Sequence, residues 1–320
     1  MSWSSLSPTC VEDAPLAPLT HFRLGGSARV LATVESAEQL ADVLSRAHRE
    51  SLPVYVLGSG ANVLVADDGV DGVVVRLRGG RFGDVEWDGP RVSAGAGVDI
   101  GRLALAAIRR GLRGLECMAG IPGTVGGCIR MNAGGKFGQI SDVVRRVWTV
   151  DRSGCRREWK NEELGFGYRR CGLRDEIIER AEFALTPCDP DMAMRRYREV
   201  WDYKKMSQPL AANSAGCVFK NPPGVSAGAL IDRAGLKGTS VGGAVVSPEH
   251  ANFILATDGA SASDVLALIR LIRRRVAEQF GVDLELEVKV WGKRWSEEES
   301  REPGMAGCGA TGPWTGGPAN

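Results

Sequence analysis

Two stretches decide how this chain is read: GSGAN at residues 58–62 and GIPGTVGG at 120–127. The first runs directly out of PVYVLG (53–58), an apolar, β-branched run that reads as a strand. A glycine loop at the end of a strand is a place where backbone N–H groups converge on phosphate oxygens. GSGANV resembles the opening of G-x-G-x-x-G, but the third glycine is missing and VLV follows, which is strand-like. A Rossmann site needs a helix N-terminus at that point, so that fold is excluded. No G-x-x-x-x-G-K-[ST] occurs, which excludes a P-loop. On its own GSGAN is equally an ordinary turn. The second stretch changes the balance. With MNAGG at 131–135 it places six glycines in sixteen residues, interleaved with Ile121, Val125, Ile129 and Met131. Backbone lying flat against a large planar ligand needs small and apolar residues together, and a flexible linker does not look like this. The two segments together point to a large planar ligand.

Working outward, SARVLATV (27–34) is predicted as a strand, followed by a helix from Ser36, where Ser36 and Gln39 offer a capping box. Leu40, Val43, Leu44 and Ala47 fall on one face of it. NVLV (62–65), GVVVRL (72–77) and RVSAGAG (91–97) read as strands, and Asp99 as the cap of a helix to about Arg110. Residues 111–138 have little periodicity and read as a structured loop. VVRRVWTVD (143–151) and CRREWK (155–160) form a hairpin around RSG, and ERAEFAL (179–185) adds a strand. The pattern is strand-rich α+β, not a regular βαβ repeat.

Asp189-Pro190 marks a composition change, and 191–206 reads as a helical connector into a second domain. There Val265, Ile269, Ile272, Val276 and Phe280 form a helical stripe that Gly281 stops, and LELEVKVW (284–291) closes the domain. The expected organisation is a loose leader at 1–18, a cofactor domain at 19–188 (subdomains about 19–85 and 86–188), a substrate domain at 189–292, and a disordered tail at 293–320.

Composition narrows the partners. The net charge is +1, which gives no field for nucleic acid or an anionic membrane. No apolar run reaches the roughly 18 residues of a membrane span, and the N-terminus lacks the basic start and apolar stretch of a signal peptide. The eight cysteines form no CxxC pair and the three histidines are scattered, so no zinc or other metal site is expected. Thiols so spaced suit a reduced, cytoplasmic setting.

HFRLGGSA (21–28), VLGSGANVLV, GLECMAGIPGTVGG, MNAGG, FGYR (166–169), SAGCVFKNP (214–222), GGAVVSPEHANFI and LELEVKVWG together resemble the UDP-N-acetylenolpyruvoylglucosamine reductase family. The resemblance runs in order from about residue 19 to 292. It implies an α+β fold: a two-subdomain, non-Rossmann FAD-binding domain of the vanillyl-alcohol-oxidase type, followed by a smaller substrate-binding domain. The implied reaction uses non-covalent FAD and NADPH to reduce UDP-N-acetyl-enolpyruvoylglucosamine to UDP-N-acetylmuramate for peptidoglycan. The nicotinamide is expected to use the substrate pocket in turn, and the enzyme to act as a monomer.

The same resemblance assigns residues. FAD falls to Gly58, Ser59, Gly60, Ala61 and Asn62; to Gly120, Ile121, Pro122, Gly123, Thr124, Gly126 and Gly127; and to Asn132, Ala133 and Gly134. Arg169 is the arginine that stabilises the enolate-like charge, Glu287 the C-terminal glutamate, and Cys217 the proton donor to carbon. Tyr168, Lys220 and Asn221 are assigned to substrate. The chain departs from the family pattern where Cys217 replaces its usual serine, and where Ala61 and Cys171 replace common serines. A thiol is the more acidic group, with an ordinary pKa of about 8.5, but a thiolate stabilised by Arg169 would hold no proton to give. Ser207 stands where the family often has a basic residue before Gln208, so Lys204 and Lys205 read as a solvated helix face. The nearest rival is an alcohol or sugar oxidase of the same superfamily, but such oxidases often tether FAD to histidine or cysteine and no histidine sits in either glycine loop. A flavin-binding protein without turnover is the other, against which Arg169 and Glu287 speak while Cys217 leaves it open.

Overall fold

The computed structural model describes Trp3 and residues 10–292, so the tail expected at 293–320 lies outside the described residues. Two sheets carry the first part of the chain. In the first, the order is Cys10–Pro15, Ser27–Val34, Val70–Leu77, Val54–Val56; the first pair is antiparallel and the others parallel. Val73, Val74 and Val75 are all fully buried, as in a parallel strand covered on both faces. Cys10–Pro15 corrects the expected leader. Cys10 pairs with Ala32 and Pro15 with Ser27, and the buried Cys10 and Ala14 hold the segment as an edge strand. Pro15 is tolerated because it ends that edge. The helix Ala37–Arg49 starts as expected, its Ser36 hydroxyl accepting from the Gln39 N–H at 3.3 Å, and buries Leu40, Val43, Leu44 and Ala47.

The second sheet is antiparallel throughout, in the order Arg156–Lys160, Val144–Val150, Ile177–Ala184, Arg91–Gly95, Val85–Asp88. The helix Ile100–Arg109 follows with Asp99 as its cap. Between the sheets, residues 111–138 are not wholly loop. A short helix, Val125–Arg130, begins inside GIPGTVGG, with the Thr124 hydroxyl accepting from the Gly127 N–H and Val125 and Ile129 fully buried. Two glycines among its six residues hid it from a periodicity reading.

The helix Pro190–Ser207, capped by Asp189, was expected to lead into a separate domain. Instead it packs on Ile100–Arg109 and on the turn Glu116–Met118, so it belongs with the cofactor-binding part. Beyond it come the helices Ala227–Arg233 and Ala262–Phe280 and a small antiparallel sheet, Ser240–Val241, Ala244–Val246 and Ile254–Ala256. The long helix has a full Ser261/Asp264 capping box and ends at Gly281 with φ +66. Phe22 and Leu64 from the first part share its core. LELEVKVW does not simply close this domain. Only Lys289–Trp291 is strand, paired parallel to Val63–Val65, so the chain returns to the first glycine loop. Among the described residues no helix is long and apolar enough to cross a membrane.

Candidate active site

A cavity of about 420 Å³ lies where the two glycine segments, the 214–217 stretch and the last strand converge. The segments touch. A Cβ on Gly58 would sit 2.7 Å from the Thr124 hydroxyl, and one on Gly60 (φ +72) would run into the Leu19 carbonyl. Only glycine allows both close approaches. The Gly58→Ala variant must push the segments apart, and overpacking of this kind costs about 1–3 kcal/mol. We expect at least a roughly tenfold rise in the FAD dissociation constant by fluorescence titration.

Behind the loop, the Asn62 amide donates to the Glu287 carbonyl at 3.1 Å, and the Lys289 N–H donates to the Asn62 carbonyl at 3.0 Å. The first glycine loop is thereby clamped to the strand that carries Glu287. That strand adjoins the 217–219 segment. The Glu287 N–H donates to the Val218 carbonyl at 2.8 Å, and the Val218 N–H to the Asn252 carbonyl at 2.8 Å. Asn252 also spans Phe219, its amide donating to the Phe219 carbonyl at 2.8 Å and accepting from the Phe219 N–H at 2.9 Å. Cys217, bridged to Phe253, is therefore fixed beside Glu287 by main-chain bonds on both sides.

Arg169 arrives from the other side. It sits in a tight turn closed by bonds between Gly167 and Arg170, with its own φ at +54. A left-handed backbone costs an arginine about 1–2 kcal/mol, and the turn holds it there. Its Nε lies 2.8 Å from Glu287 Oε1, both side chains mostly buried. The Nε–H is not aligned on that oxygen and finds no other acceptor, so the contact is ionic rather than a formed hydrogen bond. The neighbouring Glu285 is 73% exposed against 14% for Glu287, which separates two glutamates that alternation alone could not.

The electrostatics follow from burial. Cys217 is pushed up to about 12, by burial first and then by the Glu287 carboxylate, with Arg169 opposing. The concern that Arg169 would leave a thiolate is reversed: at neutral pH the group carries its proton. Glu287 is raised by burial, which Arg169 only partly offsets. Cys217 is then held as the thiol across the neutral range. Alkylation should label exposed Cys155 first, and its rate at Cys217 should climb about tenfold per pH unit with no plateau below about pH 10. Peptide mass spectrometry reads both, and fast labelling of Cys217 at neutral pH would contradict this burial.

Lys204 corrects a second expectation. It is not on a solvated face but 8% exposed at the cavity wall, donating to the Cys117 and Ala119 carbonyls at 3.2 and 2.6 Å. Arg130, also on the wall, donates to the Leu173 carbonyl at 2.6 Å and to Arg174 and Glu176. Neither was legible from sequence, since their partners are carbonyls that any residue supplies. Of the residues expected to hold FAD, all but Asn132 line the cavity. Asn132 is buried and structural, its amide donating to Gln139 and to the Gly167 carbonyl. Tyr168, Lys220 and Asn221 lie together outside the wall. The Tyr168 hydroxyl accepts from the Asn221 N–H, Asn221 Oδ1 accepts from the Ala227 N–H, and Lys220 pairs with Glu285. Among the described residues no group of three or more His, Cys, Asp or Glu could hold a metal.

The walls fit a dinucleotide. The N–H groups of Ser59, Gly60 and Ala61, and those of Gly123 and Thr124, donate to no other described residue, so both segments present open donors to the cavity. Consistent with this, residues 28–158 match the FAD binding domain family. The class is therefore a flavoprotein oxidoreductase. Residues 208–291 match the C-terminal domain of UDP-N-acetylenolpyruvoylglucosamine reductase. The enzyme of that name from Anaeromyxobacter sp. (strain Fw109-5) is 45% identical over 291 residues, 90% of each chain. That from Bradyrhizobium sp. (strain ORS 278) is 42% identical, covering 89% of this chain and 93% of its own. The crystal structure of the Thermus caldophilus reductase superposes with a TM-score of 0.77 at 43% identity, over 88% of this chain and 98% of that one. The chain belongs to the UDP-N-acetylenolpyruvoylglucosamine reductase family.

Proposed function

We propose that this chain reduces UDP-N-acetyl-enolpyruvoylglucosamine to UDP-N-acetylmuramate at the expense of NADPH, a step of peptidoglycan precursor synthesis. The observation that carries the reading is the convergence of Arg169, Cys217 and Glu287 on one end of a cavity whose other walls are the two glycine segments. The unpartnered N–H groups of Ser59, Gly60, Ala61, Gly123 and Thr124 would hold FAD, which when bound would supply the hydride chemistry of the reduction. The protein's own side chains do the rest. Reduction leaves negative charge on the carbon next to the substrate's carboxylate, and the Arg169 guanidinium is the fixed cation that meets it. Cys217 holds a proton at Sγ and delivers it to that carbon. Glu287 pairs with Arg169 across 2.8 Å, and burial raises its pKa against the opposing pull of that guanidinium.

The discriminating measurement is NADPH oxidation by the purified yellow protein with and without the enolpyruvyl nucleotide. Oxidation that depends on that nucleotide supports the reading, whereas oxygen-driven turnover of an alcohol or sugar would favour an oxidase. FAD released intact by acid would accord with non-covalent binding. The reading extends to a monomeric, cytoplasmic enzyme. Sedimentation at the mass of one 34.2 kDa chain tests the first of these.

A further inference from the structure

Lys204 is a buried cation whose counter-charge the protein does not supply. Its ammonium sits at the cavity wall with two main-chain carbonyls as partners, and no described carboxylate pairs with it. Burying an ammonium without a carboxylate is costly, and carbonyl dipoles offset only part of that cost. Burial lowers its pKa to about 8, with the Arg169 charge acting in the same direction, so two cations share this end of the cavity. Against them stands one carboxyl, Glu287, whose own pKa burial has raised.

Where Lys204 is anchored indicates what it serves. Both carbonyls, Cys117 and Ala119, belong to the stretch that leads into GIPGTVGG, and its stem lies against Gly120, where an added Cβ would come within 3.2 Å of Lys204 Cδ. It has no hydrogen bond to the 214–221 or 285–287 segments that carry Cys217 and Glu287. The charge is thus anchored on the cofactor's cradle, where it faces the Arg169 end of the cavity.

We propose that Lys204 is the electrostatic partner of the reduced cofactor: its fixed positive charge favours the anionic dihydroflavin over the neutral oxidised flavin. The inference rests on the reading of this cavity as the FAD site. In the couple concerned, two electrons and one proton convert neutral oxidised flavin to the anion: NADPH delivers them together as hydride in turnover, whereas in a titration dithionite delivers the electrons and solvent the proton. Lys204 keeps its own protons throughout and contributes charge alone. A second role follows from the same bonds, since the two carbonyl contacts hold the loop in register. The two roles separate experimentally. Loop support affects both oxidation states equally, whereas charge affects only the reduced one.

The test is the midpoint potential of the full-length holoenzyme, measured by dye equilibration at neutral pH, alongside the dissociation constant of oxidised FAD. Lys204→Met is expected to lose about 30-fold in preference for reduced over oxidised flavin, the order of one partly screened charge interaction. That loss appears as a fall of about 45 mV, at roughly 30 mV per tenfold for a two-electron couple. Lys204→Arg should restore most of the potential. A potential unchanged in Lys204→Met would overturn the proposal, even if oxidised FAD bound more weakly. So would an unchanged potential accompanied by a tenfold higher KM for the nucleotide, which would assign the lysine to substrate. If neither variant retains FAD, the wild-type potential decides: above free flavin supports the proposal, at or below it overturns it. Failure of the underlying reading would look different, because wild-type protein would then bind no FAD at all.

Discussion

Replacing Cys217 with alanine lowers kcat by about 10²- to 10⁴-fold, the range for removal of a general acid, while Cys217→Ser stays within about tenfold of wild type. Cys217 cannot swing away, because Val218 is bonded to Asn252 on one side and to Glu287 on the other. Whatever side chain stands at 217 therefore leaves the main chain from the same place. Sequence alone suggests that the thiol's acidity is its advantage over a hydroxyl. Burial removes most of that advantage by pushing the group up to about 12. What is left is a reliably protonated donor, which a serine also provides, and this is why the serine variant is expected to work. The alanine variant keeps the cavity and the cofactor loops, so NADPH should still reduce its flavin at close to the wild-type rate. Rapid-mixing absorbance separates the half-reactions. An alanine variant with wild-type kcat would take Cys217 out of the proton path.

How much of this was visible in the sequence depends on where the information sits. The strands Ser27–Val34 and Val70–Leu77, the helix Ala37–Arg49 and the long helix Ala262–Phe280 were readable, because local patterning and caps specify them. The edge strand Cys10–Pro15 was not, because only one cysteine and one alanine of it are buried, Val11 facing solvent, and its stability comes from pairing with Ser27–Val34. The return of Lys289–Trp291 to Val63–Val65 was invisible for the same reason: parallel pairing across 226 residues of chain has no local signature. At the site, glycines and charged residues in motifs were legible. Lys204 was misread as solvated because its helix is polar overall, and only the packing of that helix on Glu116–Met118 buries it.

The ion pair between Arg169 and Glu287 sets the other large expectation. Arg169→Met should lower kcat by about 10²- to 10³-fold, as loss of a preorganised charge aimed at a developing anion does. Glu287→Gln should cost less by itself, because Arg169 keeps its charge and the strained turn at Gly167–Arg170 still places it. The two losses should not add. At 2.8 Å each residue is the other's nearest charge, and contacting pairs commonly couple by about 0.5–3 kcal/mol. The double variant should therefore be scarcely worse than Arg169→Met; fully additive losses would mean that the two act independently. The pH dependence gives a second, independent reading. Burial raises the Glu287 pKa and Arg169 pulls it back down, so removing the guanidinium lets it rise further. The limb of the kcat–pH profile that reports Glu287 should then shift to higher pH in Arg169→Met and return in Arg169→Lys. The stability sign agrees. A carboxyl whose pKa is raised in the folded state stabilises the fold below its unfolded pKa, and that contribution is lost as pH rises through the folded value. Removing Arg169 widens this window, so the thermal midpoint of Arg169→Met should fall more steeply from mildly acidic to neutral pH than that of wild type. Glu287→Gln, with nothing to titrate, should show neither effect. The charge that Arg169 presents and its pH dependence thus trace to one mostly buried pair, clamped to the cofactor loop through Asn62.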